Sequence, residues 1–187
     1  MEKDDQQLIA EYLAGDSDAL AMLVKRYLKP VYNFAYRLVG NAQEAEDIAQ
    51  ETFVKIWKNI KKYRRGATFK PWLFRIARNT AFDYLRRKKS AVFSDFESMS
   101  GENLLEDSII DQKPLPDELI AKVQQKEVLN NVLARLQATY REVLLLHYMS
   151  QFSFEEMAKI LDKPLNTVKS QHRRALILLR KILAAPE

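Results

Sequence analysis

Apolar residues recur at helical spacing along most of the chain, and no stretch sustains the every-second-residue alternation of a half-buried strand. In "AEDIAQETFVKIWKNI", residues 45–60, the positions Ala45, Ile48, Ala49, Phe53, Ile56, Trp57 and Ile60 share one broad arc of a helical wheel. That arc predicts a helix packed on a core along one side. The opposite side places Asp47, Gln50, Glu51, Val54 and Lys58 at offsets 0, 3, 4, 7 and 11, a second continuous stripe with a valine at its middle. A core requires only the first arc. The second is either a solvated face or a contact.

The same periodicity predicts helices over 4–14, 17–39, 42–61 and 69–88, then near 117–136, 139–149, 154–161 and 164–184. Gly15 and Gly40 are placed to end the first two helices, and Asp16 or Ser17 and Asn41 to cap the next. Thr139 with Glu142, and Ser153 with Glu156, have the spacing of capping boxes, and Pro164 suits a first helical turn. Between the two groups, "SDFESMSGENLLEDSIIDQKPLPDEL" carries Ser, Gly and two Pro without a clean period. The fold class expected is all-α: two small helical domains, 1–93 and 119–187, joined by an acidic linker over 94–118. Phe96, Leu104, Leu105, Ile109, Ile110 and Leu115 are many apolar residues for a spacer, so the linker is read equally as free or as docked on a surface.

The formal net charge of +5 conceals a partition along the chain. Residues 55–89 hold 13 basic and 1 acidic groups and residues 163–186 hold 6 and 0, whereas residues 90–118 hold 1 and 8. Two basic blocks separated by an acidic one suit two contacts with a polyanion. With no Cys there is neither a disulfide nor a thiolate metal site, which is consistent with a cytoplasmic protein. The acidic N-terminus is unlike a signal peptide and the apolar runs, "ALILL" among them, are far too short to cross a membrane, so no membrane insertion is expected.

The order "FSFEEMAKIL", "DKP", "LNTVKSQHRRALILLRK" is a helix, a tight turn and a basic helix, the layout of a helix-turn-helix. Leu165, Val168, Ala175, Leu176, Leu179, Ile182 and Leu183 take the core side of the last helix. Asn166, Thr167, Lys169, Ser170, Gln171, Arg173 and Arg174 are left outward or at the margins. Arg and Gln can grip base edges in the major groove, and Lys169 and Arg173 suit phosphates. His147 and His172 read as histidines at the edge of the core, with no carboxylate or second ligand at metal spacing.

The block "KNIKKYRRGATFKPWLFRIARNTAFDYLRRKK" interleaves Tyr63, Phe69, Trp72, Phe74 and Tyr84 with cations, as single-stranded nucleic acid requires of its binders. Leu73, Ile76, Ala77, Thr80 and Tyr84 form a core face, so part of the aromatic set, Phe69 and Trp72 included, is equally readable as core. Paired carboxylates, a metal cluster and a phosphate-binding Gly loop are missing from the sequence. The expectation is a protein that is not an enzyme and uses no cofactor.

The runs "AEDIAQETFVKIW", "FKPWLFRIARNTAFDYLRR" and "LLLHYMSQFSFEEMAKILDKPLNTVKSQHRRAL" resemble regions 2 and 4 of bacterial RNA polymerase sigma factors of the extracytoplasmic function (ECF) group. The resemblance implies a subunit that gives core RNA polymerase its choice of promoter DNA. It implies an N-terminal domain that docks on the β′ clamp, then reads and opens the minus-10 element, and a C-terminal domain that reads the minus-35 element and sits on the β flap. On this resemblance Gln50 and Glu51 belong to the clamp contact, with Asp47 and Val54 added by the helical wheel. Arg64, Arg65, Phe69 and Lys70 fall in the loop that captures an unstacked base, and Trp72, Arg75 and Asn79 on the following helix. "TVKS" is as the family has it, whereas Gln171 stands where many relatives have Arg, which alters the expected minus-35 sequence. Many members are held inactive by an anti-sigma factor. The competing reading is an autonomous helix-turn-helix regulator that dimerises through the stripe from Asp47 to Lys58.

Overall fold

The first helices are set by short local signals. Asp4 caps α1 (Asp5–Leu13), its carboxylate accepting from the Gln7 N–H while the Gln7 side chain accepts from the Asp4 N–H. Asp16 caps α2 (Ser17–Val39), which ends on Gly40 in the left-handed region at φ 80°. Asn41 then accepts from the Glu44 N–H and opens α3 (Ala42–Asn59). A 3-10 turn, Ile60–Lys62, leads toward α4 (Phe69–Phe93). The remaining elements are α5 (Lys126–Ala134), α6 (Ala138–Leu144) with a π turn at Leu145–Met149, α7 (Phe154–Leu161) and α8 (Leu165–Ala184). This computed structural model describes residues 3–63, 68–93 and 126–184, and among them every regular element is helical. Arg64, Arg65, the acidic stretch 94–118 and the start of the helix expected near 117 lie outside the described residues.

In the first group, α2 lies against α1, α3 and α4, and α3 lies against α4. Leu23, Val31, Phe34, Ala35 and Leu38 of α2 meet Ile48, Ala49 and Ile56 of α3 and Leu73, Phe74 and Ala77 of α4 in one buried cluster. In the second, α6 and α7 pack on α8, closing around Val143, Leu146, Met157, Ile160 and Val168. The two groups also meet. α7 lies on α4, and the Phe74 ring has Phe34 on one side at 5.6 Å and Phe152 on the other at 5.1 Å, both edge to face.

Three expectations require correction. Trp57 is 57% exposed, because the buried seam of α3 runs Ala45, Ile48, Ala49, Thr52, Ile56 and is turned toward Thr52. A threonine is tolerated inside because its hydroxyl donates to the Ile48 carbonyl at 2.7 Å. Thr139 and Glu142 form no capping box: α6 begins at Ala138, so Glu142 falls in the second turn and points inward, fully buried. Helix α8 starts at Leu165, with Pro164 just before it supplying the carbonyl for the Val168 N–H. The Ser153–Glu156 box forms as expected.

Candidate nucleic-acid interface

Helix α7 ends at Asp162, whose φ of 55° is the left-handed conformation that a short polar residue adopts at a helix stop. The chain turns through Lys163 and Pro164 directly into α8, whose Val168, Ala175 and Leu179 are buried. That anchoring leaves Asn166, Thr167, Lys169, Ser170, Arg173 and Arg174 exposed. Gln171 is half-buried, with its side-chain oxygen accepting from Lys163 Nζ at 3.1 Å. No Asp or Glu occurs from Lys163 to Ala184, so nothing on this helix repels phosphate. All seven residues expected to read the minus-35 element therefore lie on one continuous helix, six exposed and one bridged to the turn.

Behind that helix His172 meets His147 and Phe154 edge to face, each with ring centroids 5.0 Å away, and its Nε2 is buried without a partner among the described residues. Burial, helped by the neighbouring His147, pushes its pKa down to about 4 from an ordinary 6.5. The unfolded chain thus binds more protons than the folded one between those values, and stability is lost as pH falls through that window. At about 1.4 kcal/mol per unit, the loss from pH 6.5 to 4 should be on the order of 2–3 kcal/mol. Urea melts at several pH values should give that slope, and His172→Phe should remove it.

On α3, Asp47, Gln50, Val54 and Lys58 are exposed. Glu51 is less free than its stripe implied: it pairs with Lys55 at 2.8 Å and with Arg87 at 3.6 Å, and these cations hold its carboxyl below the usual range. Trp57, at 57% exposure, stands one turn along from Val54, itself 47% exposed. These two apolar side chains extend the patch beyond the residues expected in it. The signal for Trp57 was its position at the edge of the arc.

A groove of about 450 Å³ runs between α3 and α4, lined by Lys55, Asn59, Lys62, Trp72, Ile76, Asn79 and Thr80. It brings together Trp72 and Asn79, both expected at the minus-10 element, and adds Lys55, Asn59 and Lys62, which the sequence reading passed over. Their spacing of four and three residues along one helical side was the available signal. Lys55 Nζ reaches across the groove to Thr80 Oγ1 at 3.0 Å. Cations, amides and an indole in one open groove suit a nucleic-acid strand.

Phe69, also expected at the DNA, is 3% exposed and packs among Tyr27, Tyr63 and Trp72. Its role in this structure is to hold Trp72 from beneath. Lys70 donates to the Ser150 carbonyl at 2.6 Å and Arg75 lies 3.6 Å from Asp162, so both are turned toward the second helical group.

A helix-turn-helix with an acid-free outer helix, on the same chain as a basic, aromatic-lined groove, defines the class: an all-α nucleic-acid-binding protein. Residues 23–91 match the family described as sigma-70 region 2 and residues 126–179 the family described as sigma-70, region 4. The chain is 34% identical, over 98% of both chains, to the ECF RNA polymerase sigma factor SigW of Bacillus subtilis. It is 31% identical to the ECF RNA polymerase sigma-E factor of Escherichia coli K12, over 91% of this chain and 90% of that one. The fold is shared with CnrH, solved with the cytosolic domain of CnrY, at a TM-score of 0.70, 23% identity and coverage of 98% and 99%. It is also similar to the sigma factor RpoE of Bartonella quintana, solved with the anti-sigma factor NepR, at a TM-score of 0.66, 25% identity and coverage of 89% and 98%. The chain belongs to the ECF group of sigma-70 family RNA polymerase sigma factors. It is a sequence-specific DNA-binding protein that directs RNA polymerase to promoters for transcription initiation. No helix among the described residues is long and apolar enough to cross a membrane.

Proposed function

We propose a division of labour between two domains, 1–93 and 119–187, around a connecting stretch at 94–118. The first binds core RNA polymerase through the α3 patch of Asp47, Gln50, Glu51, Val54 and Trp57, directed at the β′ clamp. It takes the minus-10 strand along the groove of Trp72 and Asn79, with Lys70, Arg75 and the loop residues Arg64 and Arg65 beside it. The second reads the minus-35 duplex with α8 and rests on the β flap. The protein works in the cytoplasm, where its polymerase is, and contributes no catalytic group of its own. An anti-sigma protein is its regulator, as the NepR complex of a 25% identical neighbour supports.

The observation that carries this reading is the exposed, acid-free face of α8 on an intact helix-turn-helix. Run-off transcription on genomic fragments, with purified core polymerase and this protein, tests it. Discrete start sites that appear only with the protein are expected; output identical to core alone overturns it. Within α8, Arg174→Ala should cost about 1–3 kcal/mol at one base pair of the minus-35 element, whereas Lys169→Ala should weaken all duplexes alike and flatten the salt dependence. Gel-shift titrations on single-substituted duplexes separate the two, and uniform loss from Arg174→Ala would remove it from base reading.

A further inference from the structure

Helix α1 buries Leu8 and Ile9 against α2, and that apolar seam accounts for its place in the fold. It lies wholly ahead of residue 23, where the match to sigma-70 region 2 begins. Its first turn nevertheless directs two polar side chains at distant aromatic hydroxyls. Gln6 Nε2 donates to the Tyr63 hydroxyl at 2.8 Å, 57 positions along the chain. The Tyr27 hydroxyl donates to one Asp5 oxygen at 2.5 Å, and Arg26 Nη1 donates to the other at 2.5 Å.

Tyr27 and Tyr63 are buried, and each ring stands edge to face on Phe69, with centroids 5.6 and 5.9 Å away. Tyr63 and Phe69 in turn tilt against the Trp72 indole at 5.2 and 5.8 Å. Phenylalanine would pack as well as tyrosine at positions 27 and 63, so the hydroxyls add no apolar contact. What they add is direction: a ring tied at its outer atom can neither slide nor rock within the cluster. Burial and the Asp5 carboxylate push the Tyr27 phenol well above its ordinary range, which keeps it a donor to Asp5. The half-buried Trp72 lines the groove with Lys55 and Asn79, so whatever fixes the inner rings also fixes the indole that the groove presents.

We propose that α1 is a positioning element for promoter opening, in which Gln6 through Tyr63, and Asp5 through Tyr27 and Phe69, set the angle at which Trp72 meets the minus-10 strand. This rests on the reading that the Trp72 groove takes that strand. Gln6 and Asp5 act through the rings and not on the DNA. An indole left free to rock must be ordered as the duplex opens, and that lost freedom is added to the barrier. The closed duplex, gripped by α8, does not feel the difference.

Gln6→Ala, Tyr63→Phe and the double variant test this in the full chain. Gln6 is exposed and alanine is a strong helix former, so the fold is retained, as urea melts will check. With Trp57→Phe as background, Trp72 is the one tryptophan left, and time-resolved anisotropy of the free protein reads its motion. Each variant should lower the residual anisotropy of the indole. The second measurement keeps Trp57 and adds core polymerase, on a promoter fragment found by run-off transcription and carrying 2-aminopurine in its minus-10 non-template strand. Each variant should slow strand opening by about two- to ten-fold, the factor that one hydrogen bond supplies, while binding the closed duplex as wild type does. The double variant should be no slower than the slower single one, because both substitutions break the same bond.

Unchanged anisotropy overturns the proposal, and so does a looser indole with wild-type opening. Additive slowing in the double variant, or an equal loss of closed-duplex binding, overturns it as well. Should Tyr63→Phe prove unstable in urea, Gln6→Ala decides by the same criteria. Trp72→Ala separates this proposal from the groove reading. If it slows opening while Gln6→Ala and Tyr63→Phe do not, only the positioning fails. If it opens the promoter as wild type does, the groove reading fails and the positioning falls with it.

Discussion

Phe74→Ala is expected to lower the free energy of unfolding by about 3–5 kcal/mol. Phe74 is 1% exposed and has aromatic partners on both sides, Phe34 of α2 and Phe152 ahead of α7. Truncation leaves two edge-to-face contacts unmade and a cavity whose walls belong to two different helical groups. Walls anchored in separate groups can close the cavity only by moving one whole group toward the other, which would pull Arg78 off Glu142. Urea unfolding followed by tryptophan fluorescence reports on the first group, because Trp57 and Trp72 both lie there, and far-ultraviolet dichroism reports on both. The two signals should shift together to lower urea. Phe74→Leu, which keeps most of the volume, should cost less than half as much. A loss below about 1 kcal/mol from Phe74→Ala would mean that the ring is not shared between the groups.

The same residue marks the boundary of what was legible in the sequence. Helix positions were readable because caps and stops are local: Asp16, Asn41, Gly40 and the Ser153–Glu156 pair each act within a few residues of where they stand. The outer face of α8 was readable for a related reason, since one amphipathic helix sorts its own residues into inside and outside. Phe74 stood in a run of aromatics and cations that suited single-stranded DNA, and its actual neighbours come from Phe34 and Phe152, 40 and 78 positions away. No periodicity carries that information. Glu142 failed for the same reason: three residues after a threonine it has the spacing of a cap, and it is the distant Arg78, with Lys163 beside it, that makes an inward-pointing carboxylate tolerable. Trp57 is an intermediate case, where a wheel centred slightly wrongly put an exposed indole in the core. Thr52 was the missed indication, because a hydroxyl that bonds back to its own helix can replace an apolar residue on the inner seam.

Val54→Glu should leave the fold as it is and remove most of the affinity for core RNA polymerase. Val54 is 47% exposed at the middle of α3, where glutamate is a better helix former than valine and would stand four residues before Lys58, a favourable pairing along a helix. The free protein should therefore change in stability by no more than about 0.5 kcal/mol. The bound state is different. If the clamp covers the α3 patch, a carboxylate replaces an apolar contact at the centre of an interface and loses its water, with only Lys58 of its own helix to offset that loss. That costs more than about 2 kcal/mol, or roughly thirty-fold in affinity. Trp57→Ala should show a loss of similar size by a different route, since it deletes apolar contact and adds no charge. Biolayer interferometry with immobilised core polymerase measures both, and circular dichroism with urea melts confirms the fold. If Val54→Glu binds core as wild type does while Trp57→Ala does not, the contact is centred one turn further along α3, on the side where Trp57 borders Lys58 and Lys61. Unaltered binding by both would leave the α3 stripe a solvated face after all, and would place the polymerase contact on another surface of this group.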